Sequence, residues 1–259
     1  MTRLQHTLLL CLIFLATTTH AQKNLREYYQ LTIYHYNSAT QEAALNDYFE
    51  KALLPTLHRL GINRVGAFSN LANDTAKQKK MYVLIPFRGP EQWISINDRL
   101  NKDEAYQRAA TAYMNAPNKA GVYNRMETVL MKAFANAPVL QKPGLTNTKT
   151  DRVYELRSYE SGTEKLFHNK VQMFNKGGEV DIFKRLGFNA VFYGEVIAGA
   201  SMPNLMYMTT HANMETRNSN WKNFSNDAAW NQLKVDPAYQ DNVSRIEINY
   251  LKAQPYSDL

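Results

Sequence analysis

Cysteine is nearly missing from this chain: the only one, Cys11, sits mid-run between Leu10 and Leu12. That position excludes a lipoprotein attachment site, and the remaining residues can form no disulfide, thiolate nucleophile or cysteine-bound metal centre. No apolar run approaches the 18 or so residues that a membrane-spanning helix needs. The P-loop, the Gly-x-Gly-x-x-Gly turn, the Gly-x-Ser-x-Gly elbow and the His-Glu-x-x-His pair are all missing. Beyond residue 21 only His35, His58, His168 and His211 remain, no two close enough for a local metal pair, so no metal is expected. Strong charge clustering is missing too. The net charge is +7, but lysines and arginines are scattered, and the densest group, Lys77 to Lys80, lies beside an Asn-Asp-Thr turn. A solvated loop accounts for it, leaving weak attraction to acidic surfaces and no nucleic-acid partner.

What is present begins with an export signal. Arg3 supplies the positive start, Thr7 to Ala16 a short apolar run, and Thr19-His20-Ala21 small residues at a cleavage site, with Gln22 first in the mature chain. Residues 1–21 are therefore expected to be a cleaved signal peptide. The mature protein would be secreted or periplasmic, without a stable membrane anchor. Asn73, Asn223 and Asn242 fit the glycosylation acceptor pattern, which matters only in a glycosylating host.

The two halves of the chain then answer one another. Tyr28-Tyr29-Gln30-Leu31 matches Val153-Tyr154-Glu155-Leu156, and Leu57-His58-Arg59-Leu60-Gly61 matches Phe183-Lys184-Arg185-Leu186-Gly187. Lys80 to Val83 answers Leu205 to Met208, Asp103 to Tyr106 answers Asp227 to Trp230, and Met131 to Ala133 answers Leu251 to Ala253, at offsets of 120 to 126. Leu45, Phe49, Leu53 and Leu57 recur at helix spacing, and Pro55 is expected to kink that helix near its end. Gly61 and Gly187 stand where a left-handed cap is wanted. Trp93 and Trp221 hold comparable places in the second helix of each half. Each half reads strand, helix, strand, strand, helix, strand, the split βαβ unit. The expected fold is α+β: two tandem ferredoxin-like βαββαβ modules, residues 22–134 and 151–259, joined by a Pro- and Thr/Asn-containing linker at 135–150. Their bare sheets would cover each other as an intramolecular dimeric α/β barrel.

Tyr154-Glu155-Leu156-Arg157-Ser158-Tyr159 resembles the opening strand of NIPSNAP domains. Met202-Pro203-Asn204-Leu205, Thr216-Arg217 and Asn226 to Trp230 resemble their third strand and second helix. The resemblance is good over residues 152–254 and holds only in outline over 26–134. It implies the dimeric α/β-barrel fold and no agreed enzymatic activity. More distant relatives in the superfamily include cofactor-independent oxygenases, haem-degrading monooxygenases and structural members, a fold analogy alone.

Strand alternation divides the candidate site residues. One face of the first strand carries Tyr29, Leu31 and Ile33, the other Tyr28, Gln30, Thr32 and Tyr34; Tyr154, Leu156 and Ser158 oppose Val153, Glu155, Arg157 and Tyr159. The more apolar sets are expected against the helices and the polar sets between the sheets. There Tyr28, Gln30, Tyr34, Glu155, Arg157, Tyr159, Tyr207, His211 and Glu247 would line one ligand cavity. A filled ion-pair network of the same residues stays open, with Glu155 or Glu247 paired to Arg157. His211 is the histidine expected to point inward, as a base or as an axial haem ligand. His58 is expected at a helix C-terminus, and His35 at a strand end facing solvent. Three functions remain open: a small-molecule binder, an oxygenase-type enzyme of the α/β-barrel superfamily, and an extracytoplasmic protein-interaction module. Cofactor identity and further homodimerisation are left open as well.

Overall fold

A computed structural model describes residues 26–259; the signal-peptide reading and Cys11 lie outside them. The first half forms β1 (Tyr28–Tyr36), α1 (Ala39–Tyr48), α2 (Leu54–Arg59), β2 (Gly66–Asn70), β3 (Lys79–Phe87), α3 (Pro90–Lys102), α4 (Glu104–Ala109), α5 (Thr111–Met114) and β4 (Arg125–Ala133). The second half follows with β5 (Val153–Glu160), α6 (Glu164–Asn175), α7 (Glu179–Arg185), β6 (Asn189–Ala198), β7 (Asn204–His211), α8 (Met214–Asn226), α9 (Ala228–Leu233) and β8 (Arg245–Ala253). The eight strands close an antiparallel barrel in the order β1-β3-β2-β8-β5-β7-β6-β4. Two four-stranded sheets, one from each half, thus meet edge to edge at two seams. At one seam Phe68, Ser69 and Asn70 pair with Ala253, Lys252 and Leu251. At the other, Leu130 to Ala133 pair with Ala198 to Gly194 around a bulge. Closure leaves neither sheet a free edge along these stretches, and both sheets come from one chain.

Local chemistry places the helices. Ser38, Asp103, Thr163, Asn213 and Asp227 each accept a backbone N–H in the first turn of the helix they precede, satisfying donors that helix geometry leaves unpaired. Gly61 and Gly187 end α2 and α7 at φ +81° and +78°, a conformation that any Cβ would strain. Pro55 does not break its helix. A five-residue π-helical segment, Phe49–Leu53, precedes α2, and its wider winding carries the chain past the proline's missing donor.

The barrel interior reverses the expected face assignment. Tyr29, Leu31, Phe68, Tyr82, Leu84, Val129, Met131, Tyr154, Leu156, Met206, Met208 and Leu251 fill it as one buried cluster. The polar alternates turn outward to the helices. The reason is energetic: a lumen walled by eight strands offers a buried guanidinium no helix-borne partner, and an unpaired charge there would cost several kcal/mol. The segment expected as a linker is packed as well: Leu140 is 1% exposed within the lumen cluster, and its N–H donates to Glu27 at 2.7 Å. His35, expected in solvent, is buried. It shares the lumen face of β1, with Nε2 2.6 Å from Glu127 and Nδ1 3.1 Å from Gln78; β1 lies between β3 and β4, so even its last residues are covered.

Residues 254–259 run beside β2, where Gln254 and Asp258 donate to Ala67 and Val65 and Leu259 enters the lumen cluster. His58 pairs there with Asp258 at 2.8 Å. Gly66 lies beneath this segment: a Cβ on it would stand 2.5 Å from the Phe68 ring and 2.9 Å from Leu259. Gly66→Ala is therefore expected to cost about 1–3 kcal/mol by overpacking. Urea unfolding checks this, and an unchanged midpoint would show that the ring and the tail give way freely.

Candidate functional site

The nine residues expected to share one inter-sheet cavity occupy three separate places. Tyr28, Gln30 and Tyr34 face the helices of the first half. Glu155, Arg157, Tyr159, Tyr207 and His211 face those of the second. Glu247 lies opposite Ser158 in register, on the lumen face of β8, where Asn249 donates to it at 3.1 Å. Glu247 therefore cannot pair with Arg157, whose partner on that strand is Ile248.

In the second half the space between sheet and helices is occupied by charge. Glu155, fully buried, accepts from Arg157 Nε at 2.7 Å, Arg217 Nη2 at 2.7 Å, Arg217 Nε at 2.8 Å and Trp221 Nε1 at 2.8 Å. Burial pushes its carboxyl toward the neutral form, but the Arg217 hydrogen bonds and the Arg157 charge prevail and hold it below the usual carboxylate range. Arg157 stacks its guanidinium 3.7 Å over the Trp221 ring and donates to Tyr159, which also accepts from Tyr207. Beneath them Lys170 and Glu179 form a buried pair at 2.8 Å. His211 accepts a hydrogen bond from Asn220 at Nδ1 and places Nε2 3.3 Å from Thr209, with Phe188 against the ring. With both nitrogens engaged and 1% exposure, it does not fit the role of an axial haem ligand. Burial lowers its pKa to about 4, so the ring is neutral at physiological pH. This arrangement is a filled network between one sheet and its helices, held on its own partners, and not the inter-sheet network that the sequence left open.

The first half keeps the same frame and empties it. At the position equivalent to Glu155, Gln30 accepts from Trp93 Nε1 at 2.9 Å, repeating the Trp221–Glu155 bond. Thr32 stands where the second half has Arg157, and Tyr34 where it has Tyr159. Without the arginine a cleft of about 500 Å³ opens between the outer face of β1, β3 and β4 and the helices α1 to α5. Its walls are aromatic: Tyr34, Tyr48, Trp93, Tyr106 and Tyr113 all line it. Tyr48 stacks on Tyr113 with ring centres 3.6 Å apart and shares a 2.8 Å hydrogen bond with Tyr106. Burial raises the pKa of Tyr34, Tyr48, Tyr106 and Tyr113, so all four phenols stay protonated. Gln30 donates to Thr32 at 3.0 Å, which leaves the threonine hydroxyl proton free for another acceptor. The cleft carries no Asp, Glu, Lys, Arg or His in its lining.

Gln30 and Tyr34 were legible as site residues from strand alternation; Thr32, Tyr48, Trp93, Tyr106 and Tyr113 were not singled out. Position was the usable signal: Trp93 answers Trp221, and Tyr106 answers Trp230 in the matched helices. For the second half, nothing local marked Lys170 or Glu179, and Arg217 stood only within the family-like Thr216-Arg217 stretch; all three approach Glu155 and its neighbours only through the fold. Among the described residues no group of three or more His, Cys, Asp or Glu side chains could hold a metal ion. No helix among them is long and apolar enough to cross a membrane.

Comparison with solved structures places the barrel among known relatives. The chain is similar to a candidate monooxygenase of Fusobacterium nucleatum, with TM-score 0.58 and 8% identity over 88% of this chain and 92% of that one. It is likewise similar to a candidate monooxygenase of Lactobacillus acidophilus, with TM-score 0.58 and 10% identity over 88% and 94% of the two chains. An Agrobacterium tumefaciens NIPSNAP family protein aligns with 45% of this chain and 98% of its own, at 16% identity and TM-score 0.37. At these identities the first two likenesses concern the fold alone: a closed eight-stranded dimeric α/β barrel of the ferredoxin-like kind. A search of curated protein sequences found no match. Residues 154–258, the part of the chain that carries the buried charge network, match the NIPSNAP family model.

Proposed function

We propose that the protein binds an uncharged, planar aromatic small molecule in the cleft of its first half. The observation that carries this is the contrast between the two layers: one frame, filled by Arg157 and its partners on one side, and open, aromatic and free of charge on the other. Aromatic walls with a few convergent polar groups are the common make-up of a small-molecule pocket. Stacking against Tyr113 or Trp93 would hold a planar ring, and the Thr32 hydroxyl would donate to a ligand carbonyl. The Trp93–Gln30–Thr32 chain fixes the direction of that donor. This reading moves the ligand out of the inter-sheet lumen, which the apolar cluster fills, and into the space between sheet and helices.

An anthrone oxidase-like protein shares the fold at TM-score 0.50 and 9% identity, over 88% of this chain, which makes anthrone a reasonable first probe: flat, neutral and carrying one carbonyl. Titration calorimetry should show binding. Thr32→Val should weaken it about tenfold, the range of one lost hydrogen bond, and Thr128→Trp should abolish it, because Thr128 lines the cleft as an exposed residue opposite Thr32 on β4. Binding that ignores both substitutions would refute the placement. Oxygen uptake in the same titration would move the protein to the oxygenase class.

Two further proposals follow from sequence and geometry together. The repeated Trp–strand bond, the paired left-handed glycines and the matched element order support descent of the two halves from one duplicated module. The N-terminal pattern supports export with cleavage after Ala21, and mass spectrometry of the secreted protein beginning at Gln22 is the expected result.

A further inference from the structure

A second cavity lies away from the cleft, between the connecting segment at 136–144 and the pair α7 and β6. It holds about 450 Å³. Its walls include Pro138, Val139, Pro143 and Phe188, which give it an apolar floor, and its lining contains two lysines and no carboxylate. Those lysines arrive from opposite sides: Lys142 from the connecting segment and Lys184 from α7. Both are exposed. The neighbouring Arg185 is engaged by Asp227 at 2.9 Å, whereas neither lining lysine meets a carboxylate among the described residues. Burial lowers the pKa of the nearby Lys149, Asp258 raises it, and Lys142 and Arg152 lower it further. The connecting segment is held firmly enough to form a wall, because Gln141 donates its backbone N–H to Val191 at 2.9 Å and Asn136 is bonded to Asn175.

We infer that this cleft binds a small amphipathic carboxylate, its apolar body against Phe188 and the prolines and its carboxylate between Lys142 and Lys184. Two lysines in the wall of a cavity with an apolar floor suit an anion with an apolar tail better than either a neutral ring or an inorganic anion. The neutral body contributes burial, and the charge selects among ligands of similar shape.

The test compares 4-phenylbutyrate with its neutral amide by titration calorimetry on the full protein. The acid is expected to bind about tenfold tighter, the scale of a two-lysine contact near the surface, and to lose that preference as salt rises. K142Q/K184Q should bring the acid down to the affinity of the amide, while Gly144→Trp, which crowds the cavity, should weaken both. Acid binding should persist in Thr128→Trp, which separates this site from the cleft of the first half. Equal affinities for acid and amide, a preference that survives K142Q/K184Q, loss of binding in Thr128→Trp, or no binding of the acid at all would each overturn the proposal.

Discussion

Glu155→Ala should remove about 3–5 kcal/mol of folding free energy, the cost of leaving a buried charge without its partner. Four donors converge on this carboxylate, two of them from Arg217. The Arg157 side chain is 8% exposed, so water cannot replace what the alanine takes away. Gln30→Ala at the matching position of the first half should cost only about 1 kcal/mol, because it leaves one indole N–H beside an open cleft. The comparison between the two variants is the informative one. Urea unfolding of both, read from midpoints at constant slope, should place them several-fold apart. If Glu155→Ala were no worse than Gln30→Ala, the second layer would be hydrated in solution and its role as a dry scaffold would be wrong. A Glu155→Leu, Arg157→Leu pair gives an independent check. Removing both charges should restore part of the loss, although Arg217 would still have to find water at its more open position.

The element plan of the barrel was legible before any coordinates. Strand and helix order follows from the alternation at Tyr28 to Tyr34 and Val153 to Tyr159 and from the four-residue spacing at Leu45 to Leu57, and the glycines after α2 and α7 mark where the helices stop. Which face of each sheet turns inward was not legible, and the mistake has a physical source. Alternation tells two faces apart but carries no sign. The expectation gave the more apolar face to the helices because an amphipathic helix wants an apolar partner. In the closed barrel the lumen has the stronger claim, since it receives side chains from eight strands and no polar group from any helix. A helix layer can dissolve polar side chains by bringing its own: Arg217 and Trp221 come from α8, Lys170 from α6 and Glu179 from α7. Those partners lie about 10 to 70 residues away from the strand residues they serve, a distance at which no spacing rule operates. The cleft was hidden for a related reason. It exists because Thr32 is smaller than Arg157, and one substitution between matched strands becomes a cavity only when both are seen in the same frame.

Between pH 6.5 and 4 the protein should lose about 3 kcal/mol of stability to one side chain, His211, by the linkage between pKa shift and folding. Burial depresses its pKa from 6.5 to about 4, while Glu155 pulls it up and Arg217 and Arg157 push it down. The sign follows from proton counting. Above pH 6.5 the ring is neutral in both the folded and unfolded chain, and the contribution is fully present. As pH falls through 6.5 the unfolded ring takes a proton that the folded ring, still neutral, refuses, so stability declines until the folded ring titrates near 4. Glu155, whose folded pKa is lowered, adds a second loss only once pH drops below its unfolded value near 4.5, so the upper part of the window belongs to the histidine. His211→Gln, which titrates in neither state, should flatten the stability profile between pH 6.5 and 4.5 while leaving the steeper fall below it. Urea titrations at half-unit pH steps would resolve the two regimes. An unchanged slope in the variant would mean that His211 is solvated and free to protonate in the native state. A slope lost below pH 4.5 as well would mean that the ring and Glu155 titrate as one unit across their 3.8 Å separation.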